Sequence, residues 1–184
     1  MSERVAVLVD GNNIAHGSRR HGVVVDYGSL LIWVSRGGPR KSNSGQVVRG
    51  LAHRRAIVQS RIYLGPSRNG NGKRDHFIKL VEGLGFDVVI SAEEGNSNKT
   101  AVDRDIMLDA LALAYGGRVD RIVLLSGDGG FTRLVETLKA LGVQVEVCAF
   151  PDTSYALRRA ADRFWDLTNL PLTLARGNES NGDE

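Results

Sequence analysis

Cysteine is nearly missing from this chain. Cys148 stands alone among 184 residues, so an intrachain disulfide and a thiolate metal cluster are both excluded, as expected for a reducing compartment. It lies in the apolar run VQVEVCAF and reads as an inert core residue. Long apolar runs are missing too: none approaches a membrane span, and no basic segment followed by an apolar one opens the chain as a signal peptide would. The expectation is a soluble, cytoplasmic protein without membrane contact. No two histidines stand at metal-ligand spacing, so His16 and His21 are assigned surface polar roles.

The most telling absence is of acid. From Tyr27 to Arg74 there is no Asp or Glu, whereas ten residues are Lys or Arg. With a whole-chain charge of +3, that segment carries +10 and the remainder −7. A block of one sign on a nearly neutral protein is the footprint expected for a polyanionic partner, since each cation set against a phosphate releases condensed counterions. Arg36, Arg40, Lys41, Arg49, Arg54, Arg68, Lys73 and Arg74 are its candidate RNA-binding residues.

Apolar residues make up 42% of the chain, enough for one sizeable core. The run Val5–Asn13, VAVLVDGNN, is continuously apolar and ends in a carboxylate, a glycine and two asparagines. It reads as a central strand of a parallel sheet, buried on both faces, with Asp10 at its carboxyl end. RIVLLSGD, from Arg121 to Asp128, repeats the pattern. Residues 14–26 read as a loop, and Asp26 as the cap of a helix over Tyr27–Ser35. Residues 36–50 read as a long mobile loop. Further strands are expected at 56–65, 86–91 and 143–149, with helices beginning near Lys73 to Asp75 and over 102–115, 131–141 and 153–161. A strand or hook over 163–170 would close a domain spanning residues 1–172, leaving 173–184 as a polar disordered tail. The alternation predicts a three-layer α/β/α sandwich with a mainly parallel sheet.

In such sheets ligands bind outside the carboxyl ends of the strands, at the point where strand order reverses. If the strands beginning at Val5 and Ile122 are neighbours there, Asp10 and Asp128 converge on one crevice and Asp103 approaches from the start of its helix. Carboxylates so placed raise each other's pKa, and a divalent cation relieves the repulsion. An all-oxygen donor set favours Mg²⁺ or Mn²⁺ over Zn²⁺. Beside a basic stretch, that pocket suits phosphodiester hydrolysis. Each acid also has a plainer reading: Asp10-Gly11 as a turn, and Asp103 as the charge at a helix start.

Three motifs carry a family resemblance. VLVDGNN, the KTAVD of Lys99–Asp103 with Asp109 six residues on, and the LSGDGGF of Leu125–Phe131 resemble the signatures of the NYN domain, in the LabA-like group of PIN-like nucleases. The resemblance runs through residues 4–170. It implies a PIN-like Rossmannoid fold and a Mg²⁺- or Mn²⁺-dependent ribonuclease acting on single-stranded or structured RNA. By position, Asp10, Asp103 and Asp128 would be the catalytic, metal-binding acids, with Asn13 and Lys99 close to the pocket and Ser126 in support. The third motif departs from the pattern: the acid expected two residues after Asp128 is Gly130, and Thr132 offers only a hydroxyl. A two-metal arrangement then loses a ligand, which Asp105 or Asp109 would have to replace. Asp109 lies about 120° around an ideal helix from Asp103, so both cannot face one metal without distortion.

Rival readings stay open at this stage. A catalytically weak or inactive RNA-binding relative is favoured by Gly130. SGDGG followed by Glu146 is a partial dinucleotide-binding pattern, with Thr132 in place of its third glycine. An aspartyl-nucleophile phosphatase would find Asn12 where its second acid is expected. Trp33, Tyr63 and Phe77 could stack on bases, but each sits in an apolar pattern that suits a core position. A homo-oligomer is neither indicated nor excluded.

Overall fold

The computed structural model describes residues 2–38, 40–41, 47–48, 55–66, 72–92 and 101–175. Six parallel strands form the central sheet: β1 (Glu3–Asp10), β5 (Arg55–Leu64), β6 (Asp87–Ile90), β7 (Arg121–Leu125), β8 (Gln144–Ala149) and β9 (Arg163–Asp166), in the order β6-β5-β1-β7-β8-β9. The chain leaves β1 toward one edge and returns to the other side of it at β7. The order therefore reverses between β1 and β7, the two strands expected to be neighbours.

Side-chain alternation along β1 divides the core. Val5, Val7 and Val9 pack with α1 (Gly11–His21), α2 (Tyr27–Ser35) and α3 (Gly72–Gly83). Ala6 and Leu8 pack with α4 (Ala101–Tyr115), α5 (Thr132–Ala140) and α6 (Tyr155–Ala160). Val5 through Val9 have no exposed surface at all, which explains why β1 reads as an unbroken apolar run and not as an alternating one. Burying such side chains contributes about 1.5–3 kcal/mol each, an upper bound relative to a compact unfolded chain. Trp33 and Tyr63 are core residues and Phe77 packs partly buried against the core. Cys148 is fully buried, and its thiol is pushed well above its ordinary pKa by burial.

The expected loop over residues 14–26 is instead α1 followed by β2 (Val23–Val25). The helix starts where the Asp10 carboxylate accepts the Asn13 amide, and it stops at Gly22, left-handed at φ 64°. Only Gly11, Ile14 and Gly17 of α1 are buried, so the apolar period that would announce a helix is hardly present. Its capping residues determine its limits. The predicted Asp26 cap forms, accepting from the Gly28 and Ser29 amides.

Within the segment expected to be one long loop, β3 (Arg40–Lys41) and β4 (Val47–Val48) form a short antiparallel pair. Residues 39, 42–46 and 49–50 of that segment lie outside the described residues. The expected tail likewise begins with structure, since β10 (Thr173–Ala175) pairs antiparallel with β2; residues 176–184 lie outside the described residues. Strand β7 ends at Leu125 rather than at the carboxylate, and Asp128 caps a one-turn 3₁₀ helix, residues 129–131, that leads into α5.

At the amino-terminal ends of the strands, opposite the switch point, lies a buried ionic cluster. Glu146 on β8 has no exposed surface and accepts from Arg55, Arg121 and the Trp165 indole at 2.7, 2.7 and 2.9 Å. Glu3 accepts from both arginines as well. Burial raises the Glu3 carboxyl, but Arg121 and Arg55 outweigh it and hold the group below its ordinary value. No apolar period signals this network, because its members come from five strands.

Candidate active site

Asp10 occupies the last position of β1 and is 4% exposed. Continuing the alternation of Ala6 and Leu8 directs it toward the α4 layer. Ser126 falls on the same side by the alternation of Ile122 and Leu124 along β7, and the pairing of Val9 with Leu125 sets the two residues side by side. The Ser126 hydroxyl donates to Asp10 Oδ2 at 3.1 Å and accepts the Asp128 amide at 3.2 Å. Asn13 completes the link: its amide donates to Asp10 Oδ1 at 3.0 Å, while its side-chain oxygen accepts the Gly127 amide at 2.9 Å. The loop carrying Asp128 is therefore bolted to the start of α1.

Burial pushes the Asp10 carboxyl above its ordinary pKa, the hydrogen bonds from Asn13 and Ser126 pull it down, and the negative charge of Asp128 pushes it up again. The net shift is upward. Asp128 itself is exposed, and its Oδ1 accepts the Gly130 amide at 2.8 Å. Two carboxylates thus meet at the switch point, one buried and one facing solvent, and a cation between them would favour the ionised form of both.

The other expected site residues divide into three groups. Asp103 stands partly buried in the first turn of α4, a helix that packs on β1. Among the described residues no three of His, Cys, Asp and Glu form a group able to hold a metal, so Asp103 is not drawn into a cluster with Asp10 and Asp128 in this structure. Asp105 pairs with Arg104 at 3.2 Å. Asp109 is engaged elsewhere, accepting from Arg61 at 2.7 Å and from the Tyr63 phenol at 2.6 Å. It is not available as a substitute for the acid missing at Gly130.

The basic block divides as well. Arg55 and Arg61 serve the fold through Glu3, Glu146 and Asp109. Arg36 is exposed at the end of α2. Lys73 and Arg74 begin α3 and line an open groove beside α1, where Arg74 donates to the Gly65 carbonyl at 2.6 Å. Arg40 and Lys41 lie on β3. Lys99, Arg49, Arg54 and Arg68 lie outside the described residues.

Behind Asn13 is a small polar hollow of about 130 Å³ that sequence reasoning does not identify, lined by His16, Arg20, Gly127, Asp152 and Thr153. Asp152 pairs with Arg20 and with His21 Nε2, and His21 stacks on Phe150 with ring centroids 5.0 Å apart. His16 and His21 are thus surface polar residues, as expected. Only the basic last turn of α1, Arg19 to His21, hints at this cluster in the sequence, and its partner lies 131 residues away.

Glu146 cannot serve a dinucleotide's ribose, because both its oxygens are taken by Arg55, Arg121 and Trp165 inside the core. Among the described residues no helix is long and apolar enough to cross a membrane.

Compared with known families, residues 4–170 match the NYN domain. The low amplitude and bright protein LabA of Synechococcus elongatus is 27% identical, over 91% of this chain and 85% of its own length. A crystal structure of a protein of unknown function from Vibrio parahaemolyticus matches with a TM-score of 0.74 at 26% identity, covering 94% of this chain and 97% of the other.

Proposed function

The chain belongs to the NYN domain family, and on that premise we propose that it is a ribonuclease requiring Mg²⁺ or Mn²⁺, with its reaction centre between Asp10 and Asp128. The observation that carries this reading is the arrangement at the switch point: a buried and an exposed carboxylate, on loops joined through Ser126 and Asn13, with the buried one held above its ordinary pKa. The donor set fits a hard cation. It consists of carboxylate, hydroxyl and amide oxygens, and Mg²⁺ is commonly held by one or two protein carboxylates together with waters and substrate phosphate. Asp10 and Asp128 would hold the ion, and Asp103 would have to approach from α4 to join them, since the three acids do not form one group here.

When bound, the metal supplies an activated water and offsets charge that develops on the phosphate. The protein's own residues do the rest. Ser126 and the Asn13 amide keep the Asp10 carboxylate pointed across the strand ends. Asn13 fixes the Gly127–Asp128 loop, so the two acids keep their separation as substrate enters. Arg74, Lys73 and those cations of the block that Glu3, Glu146 and Asp109 do not engage hold flanking phosphates. Cytoplasmic RNA is the substrate this reading implies.

Incubating a labelled single-stranded RNA with the protein in Mg²⁺, in Mn²⁺ and in EDTA tests it. Product in the metal lanes alone is expected; equal product in EDTA overturns the metal requirement. Gly130 favours one second reading, an RNA-binding relative without catalysis, for which salt-dependent binding and no product in any lane would be found.

A further inference from the structure

We infer that the groove between α1 and α3 is a base-binding subsite, taking one unpaired nucleobase of an RNA strand whose phosphate lies at Asp10 and Asp128. The inference rests on the nuclease reading for the position of the phosphate, but not for the existence of the subsite.

The groove measures about 530 Å³, within the ~300–1,000 Å³ usual for small-molecule sites. Gly11 and Asn12, the residues directly after Asp10, are among its lining, which brings it near the acidic centre. Its floor is apolar and aromatic. Tyr27 and Phe77 both line it, edge to face with centroids 5.7 Å apart. Leu80 lines it too and is 53% exposed, so the groove presents apolar surface to solvent. The rim is cationic: Arg19 comes from α1 and Arg74 from α3, and among the described residues no carboxylate lines the groove. Arg74 is tethered at the mouth through the Gly65 carbonyl.

Each part of a nucleotide finds its counterpart here. The apolar surface of Phe77 and Leu80 receives a base, and the flanking cations receive phosphate charge. Among the described residues, the groove is lined by neither Asp10 nor Asp128, so the acids of the reaction centre lie outside it. A base paired in a duplex cannot present its face to such a floor, and the substrate class is therefore single-stranded RNA.

The test uses the full chain and a short labelled RNA in which one nucleotide at a time is made abasic. Binding is read by anisotropy in EDTA, and cleavage separately in Mn²⁺. Removing the base at one position, fixed relative to the cut, should weaken binding about ten-fold, the scale of a lost base–aromatic stack. Leu80→Asn should weaken binding of the intact RNA by a similar factor but leave the RNA abasic at that position unaffected, and circular dichroism should show the variant folded. Duplex RNA should compete poorly. A flat abasic series alongside normal cleavage would overturn the subsite while the nuclease reading stands. Position-dependent binding without cleavage in any metal would keep the subsite and overturn the nuclease reading. If Leu80→Asn weakens intact and abasic RNA equally, the groove does not take a base.

Discussion

The Ser126 hydroxyl stands 3.1 Å from Asp10 Oδ2 and donates to it, and this is the contact through which the ends of β1 and β7 act as one site. It mitigates an unfavourable position without abolishing the cost, because Asp10 still has a carboxyl pKa above 3.8. An acid with a raised folded pKa destabilises the fold wherever the unfolded chain would ionise it and the folded one resists.

Asp10→Asn is therefore expected to stabilise the protein at pH 7 by about 1 kcal/mol, the usual scale of relief at a functional site. The new amide can still accept from the Asn13 amide and donate to Ser126. The gain should shrink as pH falls toward the unfolded value of 3.8 and vanish below it, where wild-type Asp10 is protonated in both states. Thermal melts of both proteins between pH 3 and 8 check this. A variant less stable than wild type at pH 7 would contradict the electrostatic account of Asp10.

A second prediction concerns Glu146. Glu146→Gln leaves Arg55 and Arg121 buried beside a neutral group, and breaking a buried ion pair from one side costs about 3–5 kcal/mol. Denaturant midpoints should fall accordingly, while RNA affinity of the folded variant stays unchanged, because the cluster is at the amino-terminal ends of the strands, opposite the ends that lead to Asp10 and Asp128. The Glu3 part of the network is present above the unfolded carboxyl value of 4.5 and is lost as pH falls through the lower folded value.

Gly17 lies in the middle of α1, where alanine ordinarily favours a helix by up to about 1 kcal/mol. Here the sign should reverse. A Cβ on Gly17 would come within 2.1 Å of the Phe150 ring, which is 3% exposed and stacked on His21. Gly17→Ala should destabilise by about 1–3 kcal/mol, as overpacking does, read from urea unfolding.

Much of this architecture was legible in the sequence, for identifiable reasons. The strands β1 and β7 are buried on both faces, so they show as continuous apolar runs, and the carboxylates that follow them mark the switch point. Asp26 announced its helix because capping is a local interaction. Helix α1 is not legible because only three of its residues are buried and its start is fixed by Asp10, which in the sequence reads as a site acid or a turn residue and not as a helix cap. The ionic cluster around Glu146, the engagement of Asp109 with Arg61 and Tyr63, and the Asp152 pairings join residues far apart in the chain. No local pattern encodes them, so in the sequence Arg55 and Arg61 look like any other cations of the basic block.

Gly130 offers a way to strengthen the site. Its backbone φ is not positive, and a Cβ there would meet nothing nearer than Asp128 Oδ1 at 3.3 Å, so an aspartate fits with a small adjustment. Gly130→Asp should lower the Mn²⁺ concentration giving half-maximal activity about ten-fold, since cation affinity rises with the number of charged ligands. A metal titration of cleavage checks it; an unchanged midpoint would place the ion away from the Asp128 loop.

The most direct test of the whole account compares wild-type protein with Asp10→Asn on one labelled single-stranded RNA, in Mn²⁺ and in EDTA, with binding followed in parallel. The account predicts product from wild type in Mn²⁺ alone, no product from the variant, and near-equal RNA binding by both. Undiminished cleavage by Asp10→Asn would contradict it, because the residue at the end of β1 would then have no part in the chemistry.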